Sequence, residues 1–203
     1  MLRTKLLTLS AVTAAAALSL TACAPSSSQG GGGDAAGSSS AGESTSSGSG
    51  ESLRIGIKFD QPGLGYREGS AQPTGFDTDV ARYVADKLGV AEGDIEWVQT
   101  PSANRENALE NGEVDMIFAT YSITDARKER VDFAGPYFVA GQDLLVRADD
   151  TAITGPESLD GKNLCSVTGS TSAQKIKDAH PEVQLQEVDT YSKCAEAVNG
   201  GSM

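Results

Sequence analysis

Residues 24–52 hold no large apolar side chain, and 19 of these 29 residues are Gly or Ser. A segment of that composition cannot bury enough surface to offset the entropy lost on ordering. The 151 positions that follow, 53–203, carry the folding information. The Gly/Ser segment reads as a flexible tether with a mean span of about 30 Å. After it, strand and helix signals alternate, the order expected of an α/β fold. Residues 53–59 have the character of a buried strand. Phe76, Val80, Val84 and Leu88 then recur at four-residue spacing, with Asp77 and Asp79 early, Lys87 late and Gly89 beyond, which predicts a helix with favourable end charges. Strands are expected at 95–99 and 114–119, with a helix near 103–111 between them and a short helix after Thr124. An apolar stretch at 143–146 leads toward a different segment.

From Asn163 the pattern restarts: strand 164–167, a Gly/Ser/Thr turn, helix 173–178, strand 183–188 and helix 192–198. Self-comparison supports the restart, because Ala108-Leu-Glu-Asn-Gly-Glu-Val114 aligns without gaps on Ala197-Val-Asn-Gly-Gly-Ser-Met203. In the first copy a core strand follows. In the second the chain stops, and a unit ending before its last strand leaves an unpaired edge. The expectation is a chain truncated inside its second lobe.

The N-terminus carries Arg3 and Lys5 ahead of an apolar run at 6–20. Fifteen residues rising about 1.5 Å each fall short of a hydrocarbon core of roughly 30 Å, so this is a cleavable export signal and not a spanning helix. Leu20-Thr21-Ala22-Cys23 resembles the lipobox of bacterial lipoproteins, in which the cysteine becomes the lipidated first residue of the mature chain. Removing residues 1–22 takes away two positive charges and no negative ones, moving the formal charge from −12 to −14. That balance argues against nucleic acid as a partner.

Several linked motifs resemble the extracellular solute-binding proteins of polar amino-acid ABC transporters. Gly75-Phe-Asp-Thr-Asp-Val80, followed by Ala81, Val84, Ala85 and Leu88, looks like the family signature. Asn111-Gly-Glu-Val-Asp-Met-Ile117, Ile123-Thr-Asp-Ala-Arg-Lys-Glu-Arg130 and Asp132-Phe-Ala-Gly-Pro-Tyr137 follow in the family's order and spacing. The resemblance implies a periplasmic-binding-protein-like fold of two α/β lobes with the ligand in the cleft between them. Residues 53–150 would form lobe 1 with the first hinge strand, and 151–203 the N-terminal part of lobe 2. The family aspartate that holds the ligand's α-amino group would fall beyond Met203. The implied function is the substrate-binding component of an importer, acting by cleft closure as a monomer with a membrane permease as partner. No cofactor and no metal are implied. The competing reading is an enzyme, dehydratase-like, or a sensor module on the same fold.

Arg127 ranks first among the site residues, because its guanidinium can meet an α-carboxylate with two parallel hydrogen bonds. Thr124 or Asp125 would cap its short helix, whose N-terminus favours an anion. Taken without the resemblance, Arg127 reads more readily as a surface arginine in the charged run 127–130. By the same alignment Thr120 and Ser122 match positions that hold the α-amino and α-carboxyl groups. Ser102-Ala-Asn-Arg105 resembles the glutamate/aspartate branch, in which the serine and arginine reach a distal carboxylate. Lys58 stands where amide-selective relatives tend to carry an acid, so it would attract a distal carboxylate, and Arg67 in the following loop is a weaker candidate. Together these residues point to glutamate. Thr168, Ser170 and Thr171, in Val167-Thr-Gly-Ser-Thr-Ser172, resemble the second clamp through their hydroxyls and backbone N–H groups. Such turns also cap helices with no ligand at all.

With Cys23 lipidated, Cys165 and Cys194 remain, an even number in an exported chain, and a disulfide between them is expected. Two cysteines are too few for a zinc site. His180, next to Pro181, reads as a turn residue.

Overall fold

A computed structural model of the chain describes residues 52–203. The expected export signal, Cys23 and all but the last residue of the expected tether lie outside the described residues. The first lobe is built on three parallel strands in the order β4-β1-β5: β1 (Leu53–Ile57), β4 (Ile95–Gln99) and β5 (Met116–Ile117). The register pairs Leu53 with Ile95 and Ile57 with Gln99 on one side, and Ile55 with Met116 on the other. Strand β1 is the centre of the core, with Ile55 and Ile57 fully buried. Gly56 lies between both neighbours, and a Cβ there would sit 2.7 Å from Thr100 Oγ1 and 2.8 Å from Ile117. A side chain at that position would push the strands apart.

A small hairpin not expected from the sequence follows β1. Its strands β2 (Asp60–Gln61) and β3 (Gly65–Tyr66) pair antiparallel, Asp60 with Tyr66. Gly75, at φ 115°, lets the chain pass the hairpin so closely that a Cβ would lie 2.3 Å from the Leu64 carbonyl oxygen. Helix α1 (Phe76–Lys87) then crosses the sheet. The helix is as expected but its face is rotated: Asp77, Thr78, Ala81 and Ala85 are buried, while Phe76 and Leu88 are 40 % and 57 % exposed. Two alanines let the helix axis approach the sheet, and the bulkier side chains lie at the rim. Helix α2 (Arg105–Glu110) and the single turn α3 (Asp125–Lys128) complete the lobe, α3 capped by Thr124, whose hydroxyl accepts from Arg127 N at 3.3 Å. Strand 114–119 contracts to two paired residues, though Asp115 N and Phe118 N still reach Arg54 O and Gly56 O. Residues 129–155 contain no helix or strand, so the stretch at 143–146 belongs to no sheet among the described residues.

The second lobe has parallel strands β6 (Asn163–Val167) and β7 (Gln184–Val188), paired from Asn163–Gln184 to Val167–Val188. Helices α4 (Thr171–Ala179) and α5 (Tyr191–Asn199) follow them. The expected disulfide is present: Cys165 on β6 bonds Cys194 on α5, with Cα atoms 5.4 Å apart and a sequence separation of 29. Closing about 30 residues in this way restricts the unfolded chain by roughly 3.5 kcal/mol.

The internal match between the lobes is repeated bond for bond. After α2, Gly112 N donates to Leu109 O and Glu113 N to Ala108 O; after α5, Gly201 N donates to Val198 O and Ser202 N to Ala197 O. Gly112 and Gly201 both take left-handed conformations, φ 65° and 73°. Each helix ends in the same glycine-dependent cap. Among the described residues no helix is long and apolar enough to cross a membrane.

Candidate functional site

In lobe 1 the loops that leave the C-terminal ends of β1, β4 and β5 meet, the place where open parallel sheets hold ligands. These loops carry Lys58, Ser102, Arg105, Thr120 and Ser122. Lys58, the residue after β1, is 3 % exposed, and Arg105, the first residue of α2, is 2 % exposed. Both are cations in a place where a charge is costly unless paired. Arg105 Nη1 donates to the Ala119 carbonyl at 2.9 Å, but its Nε is buried without a partner. Among the described residues Lys58 Nζ makes no hydrogen bond or ion pair, and the ring of Tyr191, 4.3 Å away, covers it. Burial first, and then repulsion from Arg105, lower Lys58 from an ordinary 10.5 to about 8. Burial and then Arg127 lower Arg105 to about 10.

Tyr121 meets two guanidinium groups over its ring, Arg105 at 4.2 Å from the centroid and Arg127 at 4.8 Å. Burial, together with the Glu106 carboxylate beside it, pushes the Tyr121 hydroxyl above its ordinary range. The Tyr121 hydroxyl closes no hydrogen bond of ordinary geometry. Burial works to raise Glu106, yet Tyr121, a backbone N–H, Arg127 and Arg105 together hold it below the usual carboxylate range.

Arg127 is the most fully engaged of these side chains. Its Nε donates to Glu106 Oε1 at 2.8 Å, Nη1 to Ser122 O at 2.9 Å and Nη2 to Gly169 O at 3.0 Å. The last bond crosses from lobe 1 to lobe 2. A planar carboxylate approaching this fork would replace the carbonyl groups of Ser122 and Gly169. Helix α3 spans only four residues, so its dipole adds little to that attraction. Ser122 also crosses, with its Oγ 3.0 Å from Thr171 Oγ1.

Thr120 takes a left-handed conformation, φ 47°. Its N–H donates to Asp77 Oδ2 at 2.8 Å, while Oγ1 lies 2.7 Å from Ala119 O and 3.0 Å from Gln61 Oε1. Tyr137 donates to the other Asp77 oxygen at 2.7 Å. A β-branched residue in this region is strained and has to be held by its surroundings. Asp77 holds it.

The Gly/Ser/Thr turn of lobe 2 differs from expectation in its backbone. Thr168 N donates to Val188 O at 2.9 Å and Ser170 N to Val167 O at 3.0 Å, so neither amide is open to a ligand. Ser170 Oγ caps α4, accepting from Ala173 N at 3.0 Å. Thr171 alone of the three has its hydroxyl against lobe 1, and Thr168 is exposed. Gly169, φ 74°, lies so close to lobe 1 that a Cβ would be 2.8 Å from Ala103 Cα. Ser102 is buried beside that contact. Arg67 is not brought to the buried cations' rings; its guanidinium lies 5.0 Å from the ring of Phe59.

Glu106, Tyr121, Asp77, Gly169 and Tyr191 join this arrangement without having been singled out. Tyr121 and Glu106 were legible in principle, since each adjoins a residue that was. Tyr191 lies on α5, far along the chain, and nothing local marks it. A cavity of about 630 Å3, lined by Leu144, Leu164, Ile176 and Val198, shares Gln61 and Tyr191 with this arrangement but none of Lys58, Arg105 or Arg127.

A family model matches residues 53–199, that of the bacterial extracellular solute-binding proteins, family 3. The chain belongs to this family. This family 3 protein is 55% identical over 157 residues to the glutamate-binding protein GluB of Corynebacterium efficiens, covering 75% of the chain and 53% of that relative. It is 37% identical over 150 residues to a glutamine-binding protein of Geobacillus stearothermophilus, 73% of the chain and 57% of the relative. The chain thus spans about half the length of these curated relatives. An ancestral arginine-binding protein solved with glutamine superposes with a TM-score of 0.70 at 33% identity, covering 75% of this chain and 67% of the other. The two-lobed α/β architecture is shared.

Proposed function

We propose that the family 3 protein is the extracytoplasmic substrate-binding component of an ABC importer for a polar amino acid, with glutamate as its ligand. The observation that carries the glutamate assignment is the pair of buried cations Lys58 and Arg105, in a chain of formal charge −12: Arg105 Nε is buried without a partner, and among the described residues Lys58 Nζ makes no hydrogen bond or ion pair. A distal carboxylate meets both unmet donors, and an amide meets neither charge. The similarity to a glutamate-binding protein supports the same choice. Arg127 with Ser122 would take the α-carboxylate, Thr120 the region of the α-amino group, Ser102 the distal end, and Thr171 the lobe 2 side. Ligand would replace the Arg127 to Gly169 bond, so that closure is drawn by ligand contacts made in the closed state.

In this reading the chain is exported, loses residues 1–22, is anchored through a lipidated Cys23, and works as a monomer beside a membrane permease. It binds and does not transform its ligand, in keeping with relatives named for what they bind.

Calorimetry against L-glutamate, L-aspartate and L-glutamine, followed by recovery of the ligand, tests the assignment. Glutamate should bind most tightly and be returned unchanged. Tighter binding of glutamine would sink the carboxylate reading, and a converted ligand would sink the binding reading. For the anchor, mass spectrometry of the protein extracted from membranes should find diacylglycerol on Cys23, and Cys23→Ala should release the protein.

A further inference from the structure

Lobe 2 touches lobe 1 at a second place, away in sequence from the Arg127 and Ser122 bonds. The first amide of α5, Tyr191 N, donates to Asp60 Oδ2 at 2.7 Å, across 131 residues of sequence. The side chain of the same residue lies over Lys58 Nζ at 4.3 Å and is close enough to Arg105 to favour its charge. Asp60 belongs to the hairpin strand β2, held to β3 by its pairing with Tyr66. Tyr191 is fixed from the other direction, since Cys194, one turn along α5, is bonded to Cys165 in β6. Both halves of the contact are therefore mounted on supported elements.

We propose that Asp60 and Tyr191 are a positioning pair that latches lobe 2 over the Lys58 side of the cleft. The carboxylate receives an otherwise unpaired N-terminal amide of a nine-residue helix, a charge-assisted bond reinforced by the helix dipole. The ring then excludes water from the ammonium while offering it a face of opposite polarity. Closure is thereby favoured before any ligand arrives, and Lys58 is dry when its partner anion enters. The latch rests on the binding reading only for its purpose, not for its existence.

The test uses the full chain with two spin labels on ketone-bearing unnatural residues, one at Asp86 in α1 and one at Lys175 in α4, both exposed, so that the cysteines stay untouched. Without ligand, the parent protein should give one narrow distance distribution. Asp60→Ala should shift the closed–open ratio about tenfold or more toward a longer distance. Asp60→Asn, which keeps an acceptor but loses the charge, should give a smaller shift. Tyr191→Phe retains both the amide and the ring and should leave the distribution unchanged, whereas Tyr191→Ala should open the cleft and add little to Asp60→Ala. Circular dichroism and an intact Cys165–Cys194 bond check that each variant is folded, and Asp60→Asn serves if Asp60→Ala is not. An unchanged distribution in Asp60→Ala, a large shift in Tyr191→Phe, or full additivity of the two openings would overturn the latch. Addition of L-glutamate to Asp60→Ala separates the two ideas: failure to move that variant back toward the shorter distance counts against glutamate as ligand, while the ligand-free comparison still decides the latch.

Discussion

Replacing Lys58 by methionine should make the protein more stable and a worse glutamate binder at once. Lysine and methionine are of similar length, so the substitution removes the charge and keeps most of the packing. Lys58 is 3 % exposed, and its pKa falls from 10.5 to about 8. At 1.36 kcal/mol for each tenfold change in proton affinity, that fall means the charged form is held about 3 kcal/mol less favourably in the folded protein than in the unfolded chain. Against this stands the contact with the Tyr191 ring, a term of about 1 kcal/mol. Lys58→Met should therefore gain about 1 to 3 kcal/mol at pH 7, read as a higher midpoint in urea, or a rise in melting temperature of about 2 to 4 °C per kcal/mol for a chain of this size. The gain should shrink by pH 10. Between about 8 and 10.5 the unfolded chain binds more protons at this site than the folded one, so wild-type stability rises with pH as its lysine becomes neutral. Calorimetry should show glutamate weakened about 10- to 100-fold, from the loss of a charge-assisted bond, and glutamine little changed. A variant less stable than wild type with the same ligand preference would refute the reasoning and make Lys58 a structural anchor.

Three further outcomes follow from the same geometry. Arg105→Ala should weaken glutamate more than glutamine, about tenfold or more; equal loss for both in a calorimetric titration would show that Arg105 only shapes the cleft. Arg127→Lys keeps the charge but loses the fork and the bond to Gly169, so affinity should fall at least about tenfold for every amino-acid ligand, and wild-type affinity would remove Arg127 from the site. Glutamate affinity, measured relative to glutamine so that the shared α-amino group cancels, should hold below about pH 7.5. It should fall as the pH passes about 8, because above it each binding event must take up a proton at Lys58; a flat ratio between pH 7 and 9 would contradict this.

Sequence periodicity located nearly all of the elements, because strands of β-branched residues and capped helices are local properties. It misjudged what depends on neighbours. The apolar spacing of Phe76, Val80, Val84 and Leu88 marked α1 correctly but suggested the wrong face, since the sheet takes the small residues Ala81 and Ala85 where close approach matters more than hydrophobicity. The hairpin after β1 escaped because its four paired residues carry no alternation to detect. At the site, Lys58, Arg105 and Arg127 were legible as cations with matching motifs, but their partners were not. Glu106 sits in a helix as an ordinary acid until Arg127 is seen 2.8 Å away. The commitments of Thr168 N and Ser170 N to β7 and β6 are backbone bonds, which side-chain chemistry cannot foretell.

The three bonds that cross between the lobes lie apart from the sheets, whose strand pairs, like the Cys165–Cys194 bond, each fall wholly inside one lobe. Each lobe can thus complete its own sheet and, in the second, its own Cys165–Cys194 bond before the two halves meet. Docking and release of lobe 2 can therefore proceed without unravelling either sheet. Movement at the cleft is an exchange between finished walls, and in the proposed binding role capture of a solute would wait on that exchange and not on folding.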